Sequence, residues 1–146
     1  MTAAGAGVLA AAGLGGTAAA APAASSAPEG HVPGGWLITR TQAGAPGQIR
    51  TVLTFAAGGA ILSLDIDPAA PPLAGSWDSD GEHGFEATFW GSVTDPQGRS
   101  VGTVRVKATG RVDGNRMSGS YTFRASVQGQ NQNGSGGFHG IRIDPD

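Results

Sequence analysis

The chain contains no cysteine, which removes disulfides, thiolate metal ligands and a cysteine nucleophile together. Lysine is almost missing as well: eight of the nine cationic residues are arginine, and Lys107 stands alone. With a formal net charge of only -2 and no clustered basic stripe, nothing steers the chain toward nucleic acid. Helical patterning is equally scarce. No segment sustains apolar residues at i, i+3 and i+4, so no substantial helix is expected. A G-x-S-x-G elbow is lacking, and so is a strand-to-helix turn to carry one, which argues against serine nucleophile chemistry. Glycine-rich pieces such as "AAGGA" precede no Lys-Ser/Thr pair, so phosphate binding is not expected either. His31, His83 and His139 lack the spacing of a zinc site, and "DSDGE" at 78–82 begins like a calcium loop but lacks the closing bidentate acid. No metal and no cofactor are implied.

The first 28 residues, "MTAAGAGVLAAAGLGGTAAAAPAASSAP", lack charged side chains altogether. They cannot form an ordinary amphipathic surface helix, which needs a polar stripe. Glycine opposes a helix there, and alanine and glycine are too weakly apolar for a firm membrane span. What fits is the apolar region and small-residue cleavage site of an export signal, with A-x-A choices around Ala19 to Ala24. The motif "TAAGAGVLAAAGLGGTAAAAPA" resembles the part of actinobacterial twin-arginine signals that follows the arginine pair. That resemblance implies a secreted protein whose true start lies upstream of Met1. The alternative is a flexible low-complexity tail. Either way the expected organisation is a disordered or cleaved leader and linker over 1–33 and one domain over 34–146.

From Gly34 onward turn chemistry recurs at 43–47, 56–59, 67–72, 78–84, 95–98, 112–115 and 130–137. These breaks leave segments at 35–41, 48–56, 60–66, 73–78, 84–94, 99–111, 116–128 and 137–143, rich in the residues that suit a pleated surface. In "VRVKATGRV", Val104, Val106 and Ala108 share one face while Arg105, Lys107 and Thr109 share the other. In "MSGSYTFRASV", Met117, Tyr121, Phe123, Ala125 and Val127 form the apolar row. Short joins between sequential strands make a meander, and eight strands can close on themselves and remove both edges. The expected fold is all-β, an eight-stranded antiparallel up-and-down barrel, with a β-sandwich as the competing architecture.

At "GGW", Gly34 to Trp36, the first strand resembles the G-x-W that opens the lipocalin (calycin) barrel. In that family an arginine on the last strand lies across the tryptophan, which assigns a structural role to Arg142 in "FHGIRI" together with Trp36. The segments "DPQGRSVG" at 95–102 and "GSGGFHG" at 134–140 are similar to patterns of the allene-oxide-cyclase-like barrel, which implies a cyclase acting on an apolar or polyketide-like substrate. Both resemblances imply a barrel with an apolar interior, and they differ on chemistry.

"EHGFEATFW", Glu82 to Trp90, bears on that difference. As a strand it sets Phe85, Ala87 and Phe89 on one face and Glu86, Thr88 and Trp90 on the other. With the phenylalanines inside, Glu86 is a solvated carboxylate. With Glu86 and Trp90 inside, burial would suit the acid to proton transfer, unless Arg40, Arg124 or Arg142 across the lumen held it ionised. The aromatic residues Phe55, Phe85, Phe89, Trp90 and Phe123 are the candidate ligand-binding set. The leading expectation is an exported, non-enzymatic barrel holding a small, largely apolar molecule, oriented by Tyr121 and one arginine. The alternative is a cyclase or isomerase using Glu86 and Tyr121. A third reading is a filled barrel acting through a loop at Gln128 to Gly137.

Overall fold

The computed structural model describes residues 31–145, so most of the expected leader lies outside the described residues. Eight antiparallel strands form the domain: β1 (Gly34–Gln42), β2 (Ile49–Phe55), β3 (Ala60–Asp67), β4 (Leu73–Asp80), β5 (Gly84–Thr94), β6 (Ser100–Asp113), β7 (Arg116–Val127) and β8 (Gln130–Arg142). They close into a barrel in sequential order, with β1 pairing β8. No helix occurs among the described residues. The sandwich alternative is thereby excluded.

Period-two patterning sets the inward face of each strand. On β5, Phe85, Ala87 and Phe89 are buried while Glu86 and Trp90 are exposed. On β7, Met117, Tyr121 and Ala125 are buried while Ser118, Thr122 and Arg124 are exposed. Two joins are as tight as a hairpin permits. Between β6 and β7 only Gly114 and Asn115 lie outside the ladder, Asp113 pairing Arg116. Gly114 carries a positive φ of 62°, as the first central position of a II′ turn requires.

The second tight join differs from the sequence expectation. Residues 130–137 are not a loop: β8 starts at Gln130, and Val127 pairs Gln130 directly across a two-residue turn. Gln128 and Gly129 both take positive φ, 51° and 81°, the I′ pattern that matches strand twist. "QNQNGSGG" therefore reads as turn composition yet pairs along its whole length with β7. The reading that made Gln128 to Gly137 an acting loop falls with it.

The two ends of the barrel differ. At the end where β1 begins, Trp36, Phe55, Phe85 and Met117 are almost fully buried. Phe55 stacks edge-on against both Phe85 (centroids 4.9 Å apart) and Trp77 (5.5 Å), the arrangement aromatic quadrupoles favour. Residues 31–33 pass beneath this cluster. The Trp36 indole N–H donates to the Val32 carbonyl at 2.9 Å, and Val32 is itself buried.

Trp36 and Arg142 are direct cross-strand partners where β1 meets β8, and the guanidinium carbon lies 4.3 Å from the indole centroid. Arg142 also donates to the Pro33 carbonyl at 2.9 Å and to the His31 carbonyl. Its Nε, however, has no partner among the described residues. Burial lowers the pKa of this guanidinium, with nearby Asp144 partly opposing. A cation held by two carbonyls and an aromatic face, with no carboxylate bonded to it among the described residues, is a strong single tie between both chain ends of the barrel.

Removing it should be costly. Arg142→Ala is expected to lower unfolding free energy by about 3 kcal/mol, from the lost cation-π contact and the carbonyls left unpaired. Arg142→Lys should recover only part, because an ammonium cannot lie flat on the indole and span both carbonyls. Urea denaturation of the three proteins measures this, and equal stability of wild type and Arg142→Ala would show that the closure does not depend on Arg142.

Candidate functional site

Above the aromatic plug the barrel is hollow. A cavity of about 370 Å³ occupies the other half, toward the low end of the roughly 300–1,000 Å³ typical of small-molecule sites. Its inner end is lined by Ile38, Leu53, Phe89, Ala108 and Phe138, and its walls toward the mouth by Val104, Val106, Phe123, Ala125 and Val127. Gln42, Ser92 and Gln132 also line it.

One part of the wall is made differently. β3 and β4 pair only from Ala60–Ser63 to Leu73–Ser76, so the stretch of β3 from Leu64 onward has no partner on that side. The connection at 68–72 fills the place, turning back with a bridge between Ile66 and Ala69 and setting Ala70 and Pro71 against the cavity. Two prolines in succession suit a segment that must cover without pairing, because proline offers no N–H.

Within this apolar surround sits one polar cluster. Arg40 Nη2 lies 2.6 Å from Asp65 Oδ2, with side-chain exposures of 22% and 16%. Thr51 Oγ1 donates to Asp65 Oδ1 at 2.6 Å, and Arg40 Nη1 donates to the Tyr121 hydroxyl at 3.3 Å. The Tyr121 hydroxyl in turn donates to the Thr41 carbonyl at 2.9 Å. Burial disfavours the Arg40 charge, but the hydrogen bond and proximity of Asp65, aided by Tyr121, outweigh it, and the guanidinium holds its proton more firmly than in water. All four side chains line the cavity.

Local register explains how they meet. The regular β2–β3 register that starts at Phe55 and Ile61 places Thr51 directly opposite Asp65, the last pair before the ladder shifts at Arg50, so hydroxyl and carboxylate face each other across adjacent strands. Arg40 shares the inward face of β1 with Trp36 and Ile38. Tyr121 belongs to β7, which is separated from β1 by β8, and it reaches Thr41 only by lying across Gly136. A Cβ at Gly136 would stand 2.6 Å from the Tyr121 hydroxyl oxygen, so a side chain there cannot coexist with this pose. The glycine run of β8 is thus the clearance that lets two rings, Tyr121 and Phe123, lie flat over a neighbouring strand.

The residues singled out from sequence divide into three groups. Tyr121, Phe89 and Phe123 line the cavity. Phe55 and Phe85 do not line it, because they lie beneath its floor in the aromatic plug, where Phe85 neighbours Phe138 at 6.4 Å between centroids. Glu86 and Trp90 are outside the barrel. Trp90 is 56% exposed and has Arg105 over its ring at 5.9 Å. The strand parity that buries Phe85, Ala87 and Phe89 forces this, so Glu86 and Tyr121 occupy opposite sides of the wall and form no acid-base pair. Among the arginines considered for the lumen, Arg40 faces it, Arg124 is exposed on the outer face, and Arg142 closes the bottom.

Asp65 and Thr51 are not marked by the sequence pattern. The available signal was the parity of β3, where Ile61, Ser63 and Asp65 share one face; the stronger apolar row of Leu62, Leu64 and Ile66 masks it. No family model, curated protein or solved structure matches the chain.

Proposed function

We propose that this protein is an exported, lipocalin-like barrel that holds a small, largely apolar molecule in its lumen. The observation that carries the reading is the half-filled interior: an aromatic floor, an apolar wall and a single polar cluster in a cavity of about 370 Å³. A chain selected only for stability gains by packing its core fully; an apolar void of this size forgoes contacts that a ligand would restore. Removal of ligand area from water supplies affinity at roughly 25 cal/mol per Å² before the costs of ordering. Arg40 and Tyr121 supply orientation. The G-x-W at Gly34 to Trp36 and the arginine laid over it support the calycin likeness, and the uncharged leader supports export by a twin-arginine-type signal of actinobacterial character.

A second reading, a cyclase or isomerase of the allene-oxide-cyclase-like type, draws support from the same cluster. The Arg40 guanidinium beside an apolar cavity can hydrogen-bond a substrate carbonyl and stabilise negative charge developing on its oxygen, with the Tyr121 hydroxyl a second donor once it exchanges the Thr41 carbonyl for the substrate, while the walls hold a flexible chain in a reactive fold. Under that reading Tyr121, Arg40 and Asp65 are the working groups, and Glu86 has no part.

Native mass spectrometry of protein from its producing organism should reveal a retained small molecule. Ala125→Trp, which fills the cavity from one wall, should abolish retention while leaving thermal unfolding cooperative. An unliganded wild type that also fails to take up apolar dyes would overturn the binding reading. For the enzymatic alternative, Tyr121→Phe should keep ligand affinity within about threefold and reduce turnover at least 100-fold; unchanged turnover removes that alternative. Export predicts that N-terminal sequencing of extracellular protein finds cleavage near Ala19 to Ala24, and an intact Met1 there contradicts it.

A further inference from the structure

We propose that the lumen selects an uncharged oxygen acceptor, the carbonyl of a ketone, ester or lactone on an apolar body, and discriminates against carboxylates. This rests on the binding reading above and names the ligand class. The argument begins with charge. Among the described residues the only ionised groups lining the cavity are Arg40 and Asp65, and they are paired at 2.6 Å, so the site has no net charge to offer an anion. A carboxylate placed against Arg40 would compete with Asp65 for the guanidinium and meet like charge within a poorly screened space.

Hydrogen-bonding capacity points the same way. A guanidinium has five N–H donors, and among the described residues Arg40 finds acceptors at only two positions, Tyr121 and Asp65. Three donors remain. The Tyr121 proton is committed to the Thr41 carbonyl and the Thr51 proton to Asp65. Ser63, Gln42, Ser92 and Gln132 add only uncharged polar groups to the lining, and within the Arg40 cluster the surplus is a set of donors on an arginine whose charge is already balanced, which suits a neutral acceptor needing hydrogen bonds but no countercharge. Nearby apolar walls from Ile38, Leu53 and Phe89 receive the remainder of such a molecule.

Two probes of equal heavy-atom count isolate the headgroup: methyl nonyl ketone and decanoate, each displacing the neutral dye N-phenylnaphthylamine at neutral pH. The ketone is expected to bind wild type at least tenfold more tightly. Asp65→Asn, which unmasks the arginine charge at nearly constant shape, should reverse the order in favour of decanoate. Arg40→Gln serves as a second variant and should weaken the ketone at least fivefold without admitting decanoate. Tighter decanoate binding by wild type, or an unchanged order in a folded Asp65→Asn protein, overturns the headgroup inference and leaves lumen binding intact. Failure of wild type to bind dye, ketone and acid alike sinks both.

Discussion

The closure of β1 on β8 governs this barrel, and one cation sits at its centre. Arg142 bonds to carbonyls of the segment that precedes β1 and lies on the ring of its cross-strand partner Trp36. Those contacts pull residues 31–33 under the open bottom, so Val32 is buried and the Trp36 N–H is satisfied by the Val32 carbonyl. Without a lid, the large aromatic side chains at that end would face water. With it, Phe55, Phe85 and Met117 pack as a dry plug, and the stability this contributes leaves the other half of the interior free to remain hollow.

The hollow half is shaped by what β8 lacks. Glycine weakens a strand, because it loses more freedom on ordering and packs no side chain. Here the loss is offset by rings that lie where side chains would otherwise stand. Tyr121 crosses Gly136 to reach Thr41, and Phe123 covers Gly134. Tyr121 is thereby anchored at its hydroxyl and carries Arg40 as a hydrogen-bond donor. Arg40 has the Tyr121 ring 5.6 Å from its guanidinium carbon as well. The pair Arg40 and Asp65 is held from three directions, by β2 through Thr51, by β7 through Tyr121 and by its own mutual contact.

Much of this architecture is legible in the amino-acid order, because alternation in segments such as "GFEATF" and "SYTFRA" names both the strand and its inner face. Closure is legible too, in sequential short joins and the Trp36 and Arg142 positions. Two places defeat the same method. In "QNQNGSGG" the Asn, Ser and Gly residues favour a turn locally, and pairing wins because β7 offers a full-length partner and its rings cover the glycines. In "ILSLDID" the apolar residues that dominate the pattern are the outward ones. Local propensity and amphipathicity see one strand at a time, whereas both outcomes are decided by neighbours across the sheet.

The inverted strand is the more informative of the two. Leu62, Leu64 and Ile66 are exposed while Ser63 and Asp65 turn inward, the reverse of what burial alone favours. The outward residues find partial cover in one another: Leu64 lies beside Val52, Val52 beside Leu37, and Leu37 beside Ile141 across four strands. A one-residue change of register would bury the leucines and expel the carboxylate. Ile61, paired with Phe55 in the plug, pins the strand against that slip, and Arg40 and Thr51 supply the contacts that make an inward Asp65 tolerable. A local rule broken at the cavity, with partners arranged to sustain it, is the departure from a purely stability-driven sequence that the proposed lumen binding would require.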